Sequence, residues 1–225
     1  AATLRNIDVA DAFLRDRFER VQPRPQMPVI HLGINTDEFE HDPKAAANLR
    51  KRMSWDEDDI VVVTIARLLP YGKFDPGPVF IALEKAQQIL GKSKRLRFAA
   101  CGVFADKHSE MVYRECARHL MPSVIFSHLA GDDPAVRRET LSGGDIFVFP
   151  IDNVQETFGL APLEAMAAGL PVIASDWDGI RDTVTPDVGI RVPTCSVEAS
   201  ATLPEARGYL SGSLSYPQYG NRLSM

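Results

Sequence analysis

Ile146-Phe147-Val148-Phe149, then Leu160-Ala161-Pro162-Leu163-Glu164-Ala165-Met166-Ala167-Ala168-Gly169, then Pro171-Val172-Ile173-Ala174-Ser175: the run reads strand, helix, strand. The outer segments are short, apolar on both faces and rich in β-branched or aromatic residues, which marks buried strands. The middle one is a helix over 160–168 that Gly169 stops at its C′ position. Working outward, the pattern repeats. Residues 60–65, 96–101 and 124–127 read as buried strands, and 79–90, 107–120 and 134–142 as helices between them. Strands apolar on both faces that alternate with helices predict a doubly wound, Rossmann-like α/β domain with a parallel sheet. Ligands of such domains bind beyond the carboxyl ends of the strands, so chemistry is expected on the loops after Ile65, Cys101, Ser127, Phe149 and Ser175.

The ends differ from this core. Residues 8–20 place Phe13, Leu14 and Phe18 at helical spacing, and Gln22-Pro23-Arg24-Pro25 stops that helix. Residues 28–31 read as a short apolar strand. The expected organisation is a helix and linker over 1–27, the α/β domain over 28–194, and an irregular tail over 195–225 rich in Ser, Gly and Tyr. A net charge of −5, from 25 basic and 30 acidic residues without long runs of either sign, argues against nucleic acid as a partner. Cys101, Cys116 and Cys195 are an odd count without metal-ligand spacing, which fits a reducing compartment. No window nears the roughly 18 consecutive apolar residues of a membrane span, so a cytoplasmic location without an integral membrane segment is expected.

Two constellations carry chemistry. In Gln155-Glu156-Thr157-Phe158-Gly159-Leu160, the residues before the helix at 160, Glu156 sits in the loop, while Glu164 lies eight positions on, within the first turns. Between them the amides of Phe158, Gly159 and Leu160 lie at a positive helix end, where a diphosphate fits. A plain amphipathic helix whose acids offset its dipole would carry the same carboxylates. The second constellation is Arg67 and Lys73 on the loop after 60–65. A guanidinium grips two phosphate oxygens and an ammonium adds a point charge, which suits a departing nucleoside diphosphate. A solvated loop with two surface cations is the plainer reading.

The arrangement Glu156 to Glu164, with Phe158-Gly159-Leu160 inside it and Ala165-Met166-Ala167-Ala168-Gly169-Leu170-Pro171-Val172 after it, resembles the nucleotide-sugar motif of family-4 (group 1) retaining glycosyltransferases of the GT-B fold. The likeness extends over roughly 28–194 through Gly33-Ile34-Asn35 to Phe39, Arg67, Lys73 and Ser175-Asp176. It implies a donor-binding domain, one half of a GT-B fold, whose partners are a UDP- or GDP-sugar and an amino-terminal acceptor domain that these residues do not resemble. It implies that Glu156 contacts donor-sugar hydroxyls, that the amides of Phe158, Gly159 and Leu160 meet sugar and diphosphate, and that Glu164 takes the ribose hydroxyls. Arg67 and Lys73 would hold the diphosphate, and the loop around Leu129 to Gly131 would border the base. Besides that missing likeness, the sequence departs from the commoner pattern at the loop: Lys73 stands six rather than five residues after Arg67, and Phe74 rather than glycine follows it. A similar longer loop belongs to a bacterial subgroup that this chain also resembles at Ser175-Asp176-Trp177-Asp178-Gly179.

Asp176-Trp177-Asp178 has the spacing of a divalent-metal site. The cations and the helix end already meet the phosphate charge, so a loop at a strand end is expected, with no metal and no cofactor. A nicotinamide-dependent oxidoreductase shares the fold class, but no G-x-G-x-x-G follows any expected strand. A nucleotide-sugar epimerase of GT-B shape and a non-catalytic nucleotide-sugar-binding module remain alternatives.

Overall fold

The computed structural model describes residues 2–18, 26, 28, 30, 32–70, 72–73, 75–151, 156, 158–194 and 203–215. Two compact units are present, Ala1–Gly33 and Ile34–Met225. In the first, α1 (Ala2–Arg17) begins six residues before the expected start and is tied on its surface by an Arg15 to Asp11 ion pair of 2.9 Å. The Pro and Gln residues expected to stop it at 22–25 lie outside the described residues. The strand expected over 28–31 is corrected: Pro28 and Ile30 are not in a strand, and Val29 and His31 lie outside the described residues. Among the described residues, neither Pro28 nor Ile30 belongs to the sheet.

Among the described residues the second unit holds six strands, β1 (Asp59–Ile65), β2 (Arg95–Gly102), β3 (Ile125–Ala130), β4 (Ile146–Phe149), β5 (Val172–Ser175) and β6 (Gly189–Val192). Their order is β3-β2-β1-β4-β5-β6 and every pairing is parallel. The helices are α2 (Pro43–Met53), α3 (Gly77–Leu90), α4 (Lys107–Leu120), α5 (Pro134–Gly143), α6 (Leu160–Ala167), α7 (Ile180–Thr183) and α8 (Leu203–Leu210). None of the described helices is long and apolar enough to cross a membrane. The Rossmann-like class is thus the observed one. Order reverses between β1 and β4, and there the register is short: β1 matches β2 over its whole length, but meets β4 only at Val62↔Ile146 and Val63↔Phe147. Past that point the two strands are no longer paired, which leaves a notch at their carboxyl ends.

Side-chain chemistry fixes the frame. Phe80 of α3 meets Phe98 of β2 edge-on at 5.8 Å and Phe126 of β3 at 5.9 Å, and such pairs add about 0.5–1.5 kcal/mol to area burial. At the amino end of β1, buried Asp59 accepts from Arg95 Nε at 2.8 Å, from Arg97 Nε at 2.9 Å and from the Asp56 amide at 3.0 Å. Beside it, Asp145 Oδ2 accepts from the Val61 amide and from Arg50 Nη2, both at 2.7 Å, so one carboxylate ties α2 to the start of the β1–β4 seam. Helix α2 begins where Asp42 caps the amides of Lys44 and Ala45, and ends at Ser54 in the left-handed region. The 195–225 tail is also corrected. Residues 203–210 form α8, with Pro204 in its first turn, where the missing N–H costs nothing; 195–202 and 216–225 lie outside the described residues.

Candidate functional site

The notch lies where the sequence placed the chemistry. After β1 the backbone turns sharply, with the Leu68 amide on Val103 O at 2.9 Å and the Lys73 amide on Leu69 O at 3.0 Å. That fold-back returns the side chain of Lys73 across the notch to the segment after β4. Its Nζ forms an ion pair with Glu156 Oε2, 83 residues away in sequence, and lies 5.9 Å from the centroid of the Phe149 ring. Lys73 is 20% and Glu156 11% exposed, so the pair is shielded far better than an ordinary surface pair and its attraction is screened less. Arg67 stands on the same loop, exposed, and its side chain makes no hydrogen bond or ion pair among the described residues.

Helix α6 faces this pair. Gly159 is its N-cap at φ 79°, ψ 90°, a conformation that L side chains rarely adopt, and a Cβ there would meet Phe149 Cε1 at 3.2 Å. A glycine brings no side chain to cap the helix. Whereas Asp42, Asp106 and Asp133 cap α2, α4 and α5, the first turn of α6 keeps its amides for another acceptor. Phe158 is part-buried and Leu160 exposed at the entrance. Glu164, one turn in, is part-buried; burial pushes its carboxyl above the usual glutamate range, and the nearby Arg137 guanidinium pulls it partly back.

The third wall differs from expectation in one residue. Leu129 is not in a loop: β3 runs three residues further than the apolar run suggested, and Leu129, 6% exposed and paired with Cys101, packs in the core. Gly131 does follow the strand, with its amide on Gly102 O at 3.3 Å, and a Cβ there would fall 2.5 Å from Gly102 Cα. That approach brings the main chains at the carboxyl ends of β2 and β3 into close contact. His128 Nε2 lies 2.9 Å from the same Gly102 carbonyl.

Ser175 and Asp176 serve the loops. Ser175 donates to the Ile151 carbonyl, which ties the ends of β5 and β4, and Asp176 is engaged by Arg181 at 3.1 Å and Arg191 at 3.5 Å. Asp178 turns the chain with a φ of 31°. Lys73, Glu156 and the α6 entrance are therefore brought together, Glu164 lies further along α6, and Leu129 withdraws into the core. Phe149 beneath the lysine and Arg137 beside Glu164 were not foreseen. Only the aromatic character of the β4 end hinted at the first, and no local signal marks the second.

Because the folded chain holds the Glu164 proton more tightly than the unfolded one, folding takes up a proton above pH 4.5, the group's ordinary value, and this residue's contribution to stability falls as pH rises through that window. Glu164→Gln should consequently raise the thermal midpoint at pH 7, with the gain vanishing toward pH 4, where the parent side chain is itself neutral. Melting curves across that range would check it; a gain that grows on acidification would contradict it.

A parallel sheet of six strands with one order reversal and helices between its strands defines a doubly wound, Rossmann-like α/β domain. The chain belongs to the family described as glycosyl transferases group 1, whose profile matches residues 46–203. An uncharacterized glycosyltransferase of Methanocaldococcus jannaschii is 26% identical over 168 residues, 74% of this chain and 40% of its own. A GDP-mannose-dependent alpha-(1-6)-phosphatidylinositol monomannoside mannosyltransferase of Mycobacterium tuberculosis is 27% identical over 184 residues, 79% of this chain and 46% of its own. Among solved structures, Anabaena HepE in complex with UDP-glucose superposes with a TM-score of 0.53 at 18% identity, covering 86% of this chain and 50% of that one, a likeness that shows the shared GT-B type of fold. The chain thus spans under half the length of these curated relatives.

Proposed function

We propose that this chain is the donor-binding part of a retaining glycosyltransferase of hexosyltransferase type that takes a UDP- or GDP-sugar and passes the glycosyl group to an acceptor hydroxyl held by a further, amino-terminal domain. The observation that carries the reading is the meeting of Lys73 and Glu156 in front of the uncapped α6 terminus, at the one reversal in strand order. A diphosphate in that notch accepts from the first-turn amides of α6 and draws Lys73 and Arg67 onto its oxygens. Departure of the nucleoside diphosphate builds negative charge on those oxygens, so the cations bind the transition state better than the ground state. Lys73 must leave Glu156 to do this. The freed carboxylate then accepts from sugar hydroxyls, and the exchange couples phosphate binding to sugar binding. Glu164 takes the ribose hydroxyls, the amides of Phe158, Gly159 and Leu160 meet sugar and diphosphate, and the main chain at Leu129 to Gly131 borders the base. The phosphate charge is met without a metal.

Arg67→Ala and Lys73→Ala should each weaken nucleoside diphosphate binding by about 1.5–3 kcal/mol, the range for hydrogen bonds to charged groups. Calorimetry with UDP, GDP and ADP, repeated in EDTA, tests both points. Unchanged affinity in both variants would remove the assignment, and a strict Mg²⁺ or Mn²⁺ requirement would return attention to Asp176 and Asp178.

A further inference from the structure

Phe149 closes β4 at the point where the parts of the notch meet. It is buried and pairs with Ala174 of β5 on one side, but β1 no longer reaches it on the other, because the β1–β4 ladder ends at Val63↔Phe147. The ring is fixed from within the sheet. Phe147, two residues back and so on the same face, is itself buried and stacks with it at 6.1 Å between centroids and 20° between planes. From the α6 side, Cε1 of the ring stands 3.2 Å from the place a Gly159 Cβ would take, with Pro162 Cδ at 3.5 Å and Ile180 Cγ1 at 3.7 Å around the same point. From the β1 side comes Lys73, whose Nζ lies over the ring at 5.9 Å from its centroid. One immobile aromatic side chain therefore abuts both the lysine and the entrance of α6.

The chemistry of that contact depends on the ring's face. An ammonium is attracted by the negative potential over an aromatic ring within about 6 Å of its centroid, and the attraction grows as water is excluded; an aliphatic residue of like bulk offers none of it. At 5.9 Å the lysine sits at the outer reach of this attraction, drawn outward by its ion pair with Glu156. In the free chain the ion pair dominates. When the pair opens to let an anion in, Lys73 loses that hold and its long, flexible stem gains room to wander. The ring cannot follow it, being locked to Phe147 and β5, and so keeps the ammonium above the notch and beside the α6 amides. The contribution of the ring thus falls mainly on the state in which Lys73 has left Glu156, where it limits the ordering that binding must impose.

We propose that Phe149 is a positioning residue of the phosphate site, whose aromatic face carries the Lys73 ammonium from Glu156 to the diphosphate. The role rests on the donor-site reading above and adds to it a residue that acts through Lys73 rather than on the ligand.

The test alters the face of the ring and leaves its shape. Phenylalanine analogues with one, two and three ring fluorines are placed at position 149, which drains the negative potential of the face stepwise. Calorimetry then follows whichever of UDP and GDP the parent chain holds more tightly, beside the corresponding nucleoside without phosphates. Affinity for the diphosphate should fall step by step, by about fivefold at three fluorines, while affinity for the nucleoside and the thermal midpoint stay at the parent's values. In a Lys73→Met background the same series should be flat, since the ring then has no ammonium to hold. A packing role alone would give neither the stepwise trend nor its dependence on Lys73. A flat or rising series in the parent background, or an equal fall in Lys73→Met, would overturn the positioning role while leaving the donor site in place. A parent that binds no nucleoside diphosphate would overturn the donor-site reading, and this role with it.

Discussion

Assayed by themselves, these 225 residues should hold a nucleotide sugar and transfer essentially none of it. Among the described residues the notch presents cations, a bare helix end and two carboxylates at the carboxyl edge of one sheet, on the loops after β1 and β4 and on the first turns of α6. Glycosyl transfer also needs an acceptor hydroxyl fixed near the sugar carbon with water kept away, and orientation of that kind can be worth about 7–11 kcal/mol. Relatives of more than twice the matched length have room for a second wall. Affinity is expected to survive while the rate falls by several orders of magnitude. A radiolabelled-donor assay comparing this stretch with an amino-terminally extended version would measure both; efficient acceptor-dependent transfer by the stretch alone would place the whole active site within this one sheet.

Asp59→Ala should destabilise the fold by about 3–5 kcal/mol, the usual loss when one partner of a buried charge cluster is removed. Asp59 is 3% exposed and Arg97 8%, so the variant strands a guanidinium inside the protein. Burial is the largest influence on the Asp59 carboxyl and pushes it up. The bonds from Arg97, the Asp56 amide and Arg95 together outweigh burial and hold it below its ordinary 3.8. A depressed carboxyl stabilises above its unfolded value and loses that contribution as pH falls through the folded one, so the variant's deficit should shrink in strong acid. Urea melts would give the size of the effect. The double variant Asp59→Ala, Arg97→Met should recover part of the loss, because it leaves no buried charge unpaired, and a double variant no better than the single would refute this account. Asp59 sits at the amino end of β1, opposite the notch, so the folded fraction should bind nucleotide normally.

The five strands nearest the core were legible because a parallel strand covered on both faces is a continuous apolar run, as in Val61-Val62-Val63 and Phe147-Val148-Phe149. β6 was not. Gly189-Ile190-Arg191-Val192 is an edge strand that leaves Ile190 and Val192 exposed, so its four residues carry neither a run nor enough alternation to stand out. α2 escaped for a related reason: of its eleven residues only Leu49 is buried, and the Asp42-Pro43 capping pair was its one clear mark. The site divides along the same line. Glu156, Gly159 and Glu164 were legible because they share one loop and helix. The Lys73–Glu156 contact depends on how a loop folds back across 83 residues, and Phe149 draws its meaning from the lysine which that loop returns to it, which no local pattern encodes.

The short β1–β4 register also bears on the order in which the molecule comes together. β1 finds β2, β2 finds β3, β4 finds β5 and β5 finds β6 through crossovers of one helix each, but Val61 and Asp145 must meet across 84 residues of chain. Loop-closure entropy makes that the costliest strand contact to form, so the three-stranded halves can assemble first and dock along this line last. Lys73 comes from one half and Glu156 from the other. The site is therefore completed by the closing event of folding, and a ligand that bridges the two residues acts as a clasp on the seam that would otherwise be first to reopen.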